Sequence, residues 1–195
     1  MKLKTLFLFL LSFLVFVIIL AGCEQSYTPK PRGYFRIDLP QKSYIRFDEA
    51  TAYSFEYPSY AKITSDVYSP HEKDWYNVEF PALKAVLHIS FKKVNDDLNL
   101  YVEDARTMAF KHLSKANAIT DSIIDIPEKN IFGAVYQIQG KGVASPIQFY
   151  VTDSSQNFLR AALYFNIRPN NDSIAPVIQF VKADLLHFIE TLEWK

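Results

Sequence analysis

The longest apolar stretch of the chain lies at its N-terminus, where residues 6–21 are almost all hydrophobic and follow Lys2 and Lys4. A positively charged start, an apolar core and small residues before a cleavage point are typical of a secretion signal. The small residues here are Ala21 and Gly22, and Cys23 follows them directly. This order is typical of a bacterial lipoprotein signal, in which the cysteine thiol receives a diacylglycerol and the peptide is cut before it. We therefore predict a signal peptide over residues 1–22, cleavage between Gly22 and Cys23, and lipid on Cys23.

The same apolar stretch allows a second interpretation, an uncleaved membrane helix over residues 5–22. A run of roughly 18 apolar residues approaches the length that spans a bilayer. A spanning helix gives no reason for a cysteine at this place, so the lipoprotein signal is favoured. Under both interpretations we expect the rest of the chain to lie outside the cytoplasm, held at a membrane.

Polar residues and two prolines replace the apolar run after the cysteine, and residues 23–33 therefore predict a tether. Short segments rich in β-branched and aromatic residues follow, which predicts β-strands. One strand, Lys84–Lys92, alternates only loosely between apolar and polar residues, so we expect it near the centre of a sheet. The other early strands are predicted at Tyr34–Leu39, Tyr44–Phe47, Tyr53–Tyr57, Ala61–Ser65 and Trp75–Phe80.

The apolar spacing changes to a helical period in two places. The first helix begins at Asn99, with acidic Glu103 and Asp104 near its start and basic Lys111 near its end, as the helix dipole favours. Its apolar side is Val102, Ala105, Ala109, Leu113 and Ala116. A final helix, capped by Asp172 or Ser173, repeats apolar residues at Ile174, Val177, Val181, Leu185, Ile189 and Leu192. Four strands are predicted between the two helices: Ala118–Ile126, Ile131–Gln139, Pro146–Thr152 and Phe158–Ile167.

The predicted order is strands, helix, strands, helix, without the strict alternation of strand and helix that a parallel sheet requires. We therefore predict a single α+β domain over residues 34–195, with two main helices packed on a largely antiparallel sheet as an α/β sandwich. Removing residues 1–22 leaves 19 basic and 21 acidic side chains, a formal charge of −2. This charge gives no basic field for nucleic acid. Since Cys23 is the only cysteine, the lipidated domain has to fold without a disulfide.

Residues that could carry catalysis or bind a metal are scattered along the chain. His187 and Glu190 stand three positions apart in the last helix, a spacing that predicts a surface hydrogen bond. No serine occupies a nucleophile-elbow sequence. The four histidines, at positions 71, 88, 112 and 187, have no metal-binding spacing. We therefore predict no enzymatic activity, no cofactor and no metal site.

Large aromatic residues beside predicted turns are the remaining candidates for a functional surface. Most aromatic side chains of a small domain belong to its core, but rings next to turns can stay partly exposed and bind a partner. The candidate partner-binding aromatics are Tyr57, Tyr60, Trp75, Tyr76 and Phe80.

Several uncommon short sequence motifs are spread over the whole chain after the cysteine. They are Tyr27–Ile37, Phe55–Pro58, Ser145–Ser154, Phe158–Arg160, Ala162–Phe165 and Glu190–Lys195. In these motifs the chain resembles the GldD family of gliding-motility lipoproteins. Members often carry two further cysteines near the segments that correspond to Phe55 and Trp75, and this chain has neither. The motif Phe55–Pro58 also resembles the opening hairpin of Mog1/PsbP-like sandwiches. This second resemblance bears on the fold and not on the function.

The GldD resemblance implies a membrane lipoprotein needed for surface gliding and linked to type IX secretion. It implies a non-enzymatic scaffold or assembly role, with other gliding or secretion proteins of the envelope as partners. Only Glu24 is acidic directly after the cysteine, so we expect the outer membrane, with the domain facing the periplasm. The alternative function is a periplasmic carrier of a lipid or peptide, enclosed by the aromatic-rich sandwich.

Overall fold

The computed structural model describes residues 4–5, 7–9, 11–13, 33–34 and 36–195. The chain divides into two compact units, Met1–Arg36 and Ile37–Lys195. The described residues before position 14 are helical, and no helix in the described part of the chain combines the length and apolar character needed to cross a bilayer. The predicted cleavage site at Gly22 and Cys23, and almost all of the predicted tether, lie outside the described residues.

In the described part of the second unit, short loops connect ten β-strands and two α-helices. The helices are α1 (Leu98–Phe110) and α2 (Ala175–Thr191). The strands are β1 (Tyr44–Phe47), β2 (Tyr53–Pro58), β3 (Lys62–Ser65), β4 (Tyr76–Phe80), β5 (Ala85–Lys93), β6 (Ala118–Ile126), β7 (Ile131–Gln139), β8 (Ile147–Thr152), β9 (Asn157–Phe165) and β10 (Glu193–Trp194).

Seven of these strands form the main sheet, in the spatial order β3-β4-β5-β9-β8-β7-β6. Strands β1, β2 and β10 form a smaller sheet, with β2 in its middle. Neighbouring strands run antiparallel in both sheets. The predicted α+β class with antiparallel strands is confirmed, and β5 lies inside the main sheet as its loose alternation predicted.

The main sheet packs on both of its faces because its strands alternate two sets of apolar side chains. Leu87, Phe149 and Leu163 belong to the main core, which also contains the apolar side of α2 and residues of β2. Ala134 and Tyr136 point to the opposite face, where they pack with Ala109 of α1. The two helices therefore lie on opposite faces of the sheet, which makes a three-layer sandwich.

The predicted strand Tyr34–Leu39 is wrong, because residues 34 and 36–39 have no regular secondary structure. Ile37 packs against the main core, so the apolar content of this segment reflects core packing rather than strand pairing. Strand β9 ends at Phe165 rather than Ile167, and β10 was not predicted.

Both helices are shorter than their apolar spacing predicted. Helix α1 ends at Phe110, and Leu113 starts a separate 3-10 turn that leads towards β6. The dipole prediction is wrong at the start of α1, where Glu103 and Asp104 lie beyond the first turn, but Lys111 is the C-cap residue directly after the last turn. The predicted cap at Asp172 or Ser173 is wrong: Ile174 is the N-cap residue of α2 and no side chain caps this helix, while the Ser173 hydroxyl accepts a hydrogen bond from Asn170 Nδ2 at 2.8 Å.

Candidate functional site

A cleft of about 470 Å³ lies between α1 and strands β4, β5 and β9 of the main sheet. We call it the α1–sheet cleft. Its floor is formed by Asn77, His88, Ser90 and Arg160, which alternate along their strands with residues of the main core and therefore face away from it. Because β5 pairs with β9, and α1, β6, β7 and β8 lie between these two strands in the sequence, side chains from distant segments meet here.

The walls of the α1–sheet cleft are mainly aromatic and apolar. Tyr101 and Met108 of α1 form one side, where the Tyr101 ring lies 5.4 Å from the ring of Phe158. Trp75 and Tyr68, from the segment before β4, also line the cleft. The Trp75 indole donates a hydrogen bond to the Phe91 carbonyl at 2.7 Å, which fixes the orientation of this wall.

Arg160 is the partly buried cation on the floor of the cleft. Its Nη2 donates to Gln148 Oε1 at 2.6 Å, and the Gln148 side chain is buried with its Nε2 unpaired among the described residues. None of the ion pairs formed within the described part of the chain includes Arg160. Burial lowers the pKa of the guanidinium from its ordinary value, as expected for a charge without a close carboxylate.

His88 is held on the same floor by a short hydrogen bond. Its Nδ1 lies 2.7 Å from Asn77 Oδ1, and its ring meets the ring of Tyr164 edge-on at 5.6 Å. Burial lowers the pKa of His88, which favours the neutral imidazole. Ser90 uses its hydroxyl to donate to the Arg160 carbonyl at 3.3 Å. This arrangement is suited to binding an anion rather than to activating a serine.

The predicted partner-binding aromatics lie close together, but mostly inside the domain. Phe80 is only 1% exposed, so it is a core residue and the prediction that it binds a partner is wrong. Tyr57, Tyr60, Trp75 and Tyr76 are partly buried and pack against the main core. Of the five, Trp75 alone lines the α1–sheet cleft. A partner-binding role for the four partly buried rings stays a prediction.

An apolar surface that the sequence analysis missed lies on the other side of α1. A groove of about 680 Å³ separates this helix from β6, and we call it the α1–β6 groove. Ile123 is 84% exposed in it, near the half-exposed Phe110, and Asp121 and Asp125 flank Ile123 on the same face of the strand. Strand β6 is an edge of the main sheet, with β7 as its neighbour among the described residues. The alternation Asp121, Ile123, Asp125 was the available sequence signal.

His187 makes a different contact from the one its spacing predicted. Its Nε2 lies 2.6 Å from Glu56 Oε2 of β2 rather than bonding to Glu190, and its ring stacks on Tyr44 at 3.7 Å. The His187 side chain therefore points towards the smaller sheet instead of along the helix. Its contacts with Glu56 and Tyr44 connect α2 to that sheet. Among the described residues, no group of three or more His, Cys, Asp or Glu side chains could hold a metal ion.

Asp184 of α2 is a buried carboxylate whose oxygens are both hydrogen-bonded. Lys42 Nζ donates to Oδ1 at 2.6 Å, Tyr44 donates to the same oxygen at 2.9 Å, and the Tyr60 hydroxyl donates to Oδ2. Burial and the bond to Asp184 raise the pKa of Tyr44 to about 12. Both oxygens of Asp184 are occupied and its side chain is buried. The cluster therefore joins three segments of the chain and has a structural role.

Comparison with known proteins places this arrangement in a family. Among solved structures, the chain is similar to the solution structure of cyanobacterial PsbP (CyanoP) from Synechocystis sp. PCC 6803, with a TM-score of 0.44 and 11% identity. That similarity covers 83% of this chain and 98% of the other. No curated protein matches the sequence. The family model of the gliding motility lipoprotein GldD matches residues 24–194, and the chain therefore belongs to the GldD family of gliding-motility lipoproteins.

Proposed function

We propose that this protein is a lipid-anchored, non-enzymatic assembly component of the gliding machinery and that it docks on envelope proteins linked to type IX secretion. Membership of a gliding-motility lipoprotein family supports the membrane anchor and the process. The lipid on Cys23 holds the domain at the periplasmic face of the outer membrane. At about 0.8 kcal/mol per buried CH₂, two or three acyl chains make its release negligible.

The α1–β6 groove is the observation that supports docking. An edge strand offers unpaired backbone groups to which an extended segment can add, and an exposed apolar side chain beside it anchors that segment. Ile123 supplies the anchor, while Asp121 and Asp125 repel a second copy of the same edge. The occupant is an extended segment of a gliding or secretion protein, with an apolar residue between basic ones.

A charge at the anchor position tests this docking mode. Ile123→Lys in the full lipidated chain is expected to abolish recovery of gliding or secretion proteins from detergent-solubilised envelopes, because a desolvated lysine disrupts the apolar contact. Mass spectrometry of the captured complexes measures the recovery. Ile45→Lys is the matched control, since Ile45 also lies on an edge strand and is 47% exposed. Equal recovery with both variants, or no partner with the unaltered chain, overturns the proposal.

A ligand carrier is the second candidate function, and the α1–sheet cleft is the observation that favours it. Its volume lies within the range of small-molecule sites, and its walls are aromatic with a few polar groups on the floor.

Removing the lipid anchor distinguishes the assembly function from the carrier function. Cys23→Ser, expressed behind a signal peptide that is cleaved without lipidation, is expected to release a folded chain from the membrane fraction and to abolish gliding, since an assembly component acts only at its location. Fractionation, circular dichroism and a spreading assay measure the three properties. Gliding that persists with the soluble chain contradicts the assembly role and favours the carrier.

A further inference from the structure

Arg160 is a partly buried cation on the floor of the cleft, and no carboxylate of the described residues lies within ion-pairing distance of it. A guanidinium has five N–H donors, and the bond to Gln148 uses one of its nitrogens. Burying such a charge is unfavourable unless an anion or several acceptors meet it. The buried Gln148 amide holds the guanidinium by one edge, so the remaining donors can be presented together to a ligand.

The geometry points to the α1–sheet cleft as a binding site for a small carboxylate with a flat apolar body, whose carboxylate pairs with Arg160. This inference deepens the carrier function by naming its ligand class. A carboxylate matches the planar fork of arginine and can accept two parallel N–H bonds.

The walls specify the apolar part of the ligand. Trp75, Tyr101 and Phe158 line the same cleft as Arg160, so a flat body can lie against their rings while its carboxylate reaches the floor. Offset stacking and edge contacts between aromatic rings add to the free energy of simple burial. The Trp75 indole is fixed by its bond to Phe91, and this wall is therefore ready before a ligand arrives.

The other charges around the cleft limit the negative charge that a ligand of Arg160 can carry. Asp66 and Asp104 also line it, and they repel a doubly charged group such as phosphate more strongly than a single carboxylate. Lys92 lies at the same cleft, but its Nζ is paired with Glu72 at 2.6 Å. Arg160 is therefore the cation that faces the ligand.

A methyl group in the cleft allows binding to be observed directly. The chain has two methionines, Met1 and Met108, so Met108 is the only one left after signal cleavage, and it lines the cleft. The experiment titrates 2-naphthoate, or its uncharged analogue 2-naphthamide, into the lipidated chain in phosphatidylcholine nanodiscs. The NMR signal of the 13C-labelled Met108 methyl reports the site. We expect saturable binding of naphthoate, about tenfold tighter than that of naphthamide.

Two variants assign the preference to the guanidinium. Arg160→Met is expected to bind both probes equally, whereas Arg168→Met, which removes an exposed arginine outside the cleft, keeps the tenfold preference. Equal binding of both probes by the unaltered chain, or an unmoved Met108 signal, overturns the inference even if Arg160→Met fails to fold. These readouts are independent of gliding, so a failed carrier function and a failed ligand assignment give different results.

Discussion

Replacing Phe188 with alanine is expected to lower the free energy of unfolding by about 3–5 kcal/mol. The buried Phe188 ring lies 4.1 Å from the ring of Phe55 in β2 and 5.6 Å from the ring of Phe149 in β8, measured between centroids. One side chain therefore joins α2 to both sheets. Alanine would leave a cavity where the three elements meet and would remove two aromatic pairs.

Chemical denaturation followed by circular dichroism measures the loss. Leu186→Ala is the control on the same helix, because Leu186 is 41% exposed and packs less. We expect its effect to stay within about 0.5 kcal/mol. Similar losses for the two variants would contradict the role of Phe188 as the contact between the layers.

The second large effect is expected for Asp184→Ala, which should lower the free energy of unfolding by about 2–4 kcal/mol. Lys42, Tyr44 and Tyr60 would each lose their common acceptor. Because the Lys42 side chain is 30% exposed and also donates to the Phe180 carbonyl, it keeps part of its solvation, and the loss stays below that of a fully buried ion pair.

Two measurements check the Asp184 cluster. Asp104→Ala removes an exposed aspartate from the other helix and is expected to change stability by less than about 0.5 kcal/mol.

In the unaltered chain the pKa of Tyr44 is raised from 10.0 to about 12, so the folded state keeps a proton that the unfolded state loses. The stability from Tyr44 is fully present below pH 10 and is lost as the pH rises to about 12. A Tyr44 pKa that is unchanged in Asp184→Ala would contradict the cluster.

The long strands and both helices could be predicted from the spacing of apolar residues. Strands β6 and β7 have the predicted bounds, because each is a run of nine residues rich in Ile, Val or aromatic residues and the turn at Pro127–Lys129 separates them. Strand β10 is different: Glu193–Trp194 is too short to carry a period, and its existence depends on pairing with β2. The partner of His187 was missed for the same reason, since Glu56 belongs to a distant element.

The candidate site could not be predicted from local patterns. Asn77, His88 and Arg160 come from three strands that become neighbours only when β9 pairs with β5. A charged residue inside a largely apolar strand was the available signal, and Arg160 stands in such a strand. Spacing cannot show which helix covers Arg160, or that no carboxylate of the described residues forms an ion pair with it.

The pairing of β2 with β10 places Ser54 next to Glu193, although the two residues are near opposite ends of the sequence of this unit. Contacts between such distant positions form slowly, because the chain loses loop entropy before the contact stabilises it. The smaller sheet therefore cannot be completed until Glu193 and Trp194 pair with β2. We therefore expect the β1–β2 hairpin to form before β10 adds to it, and the addition of β10 to be a late step in folding.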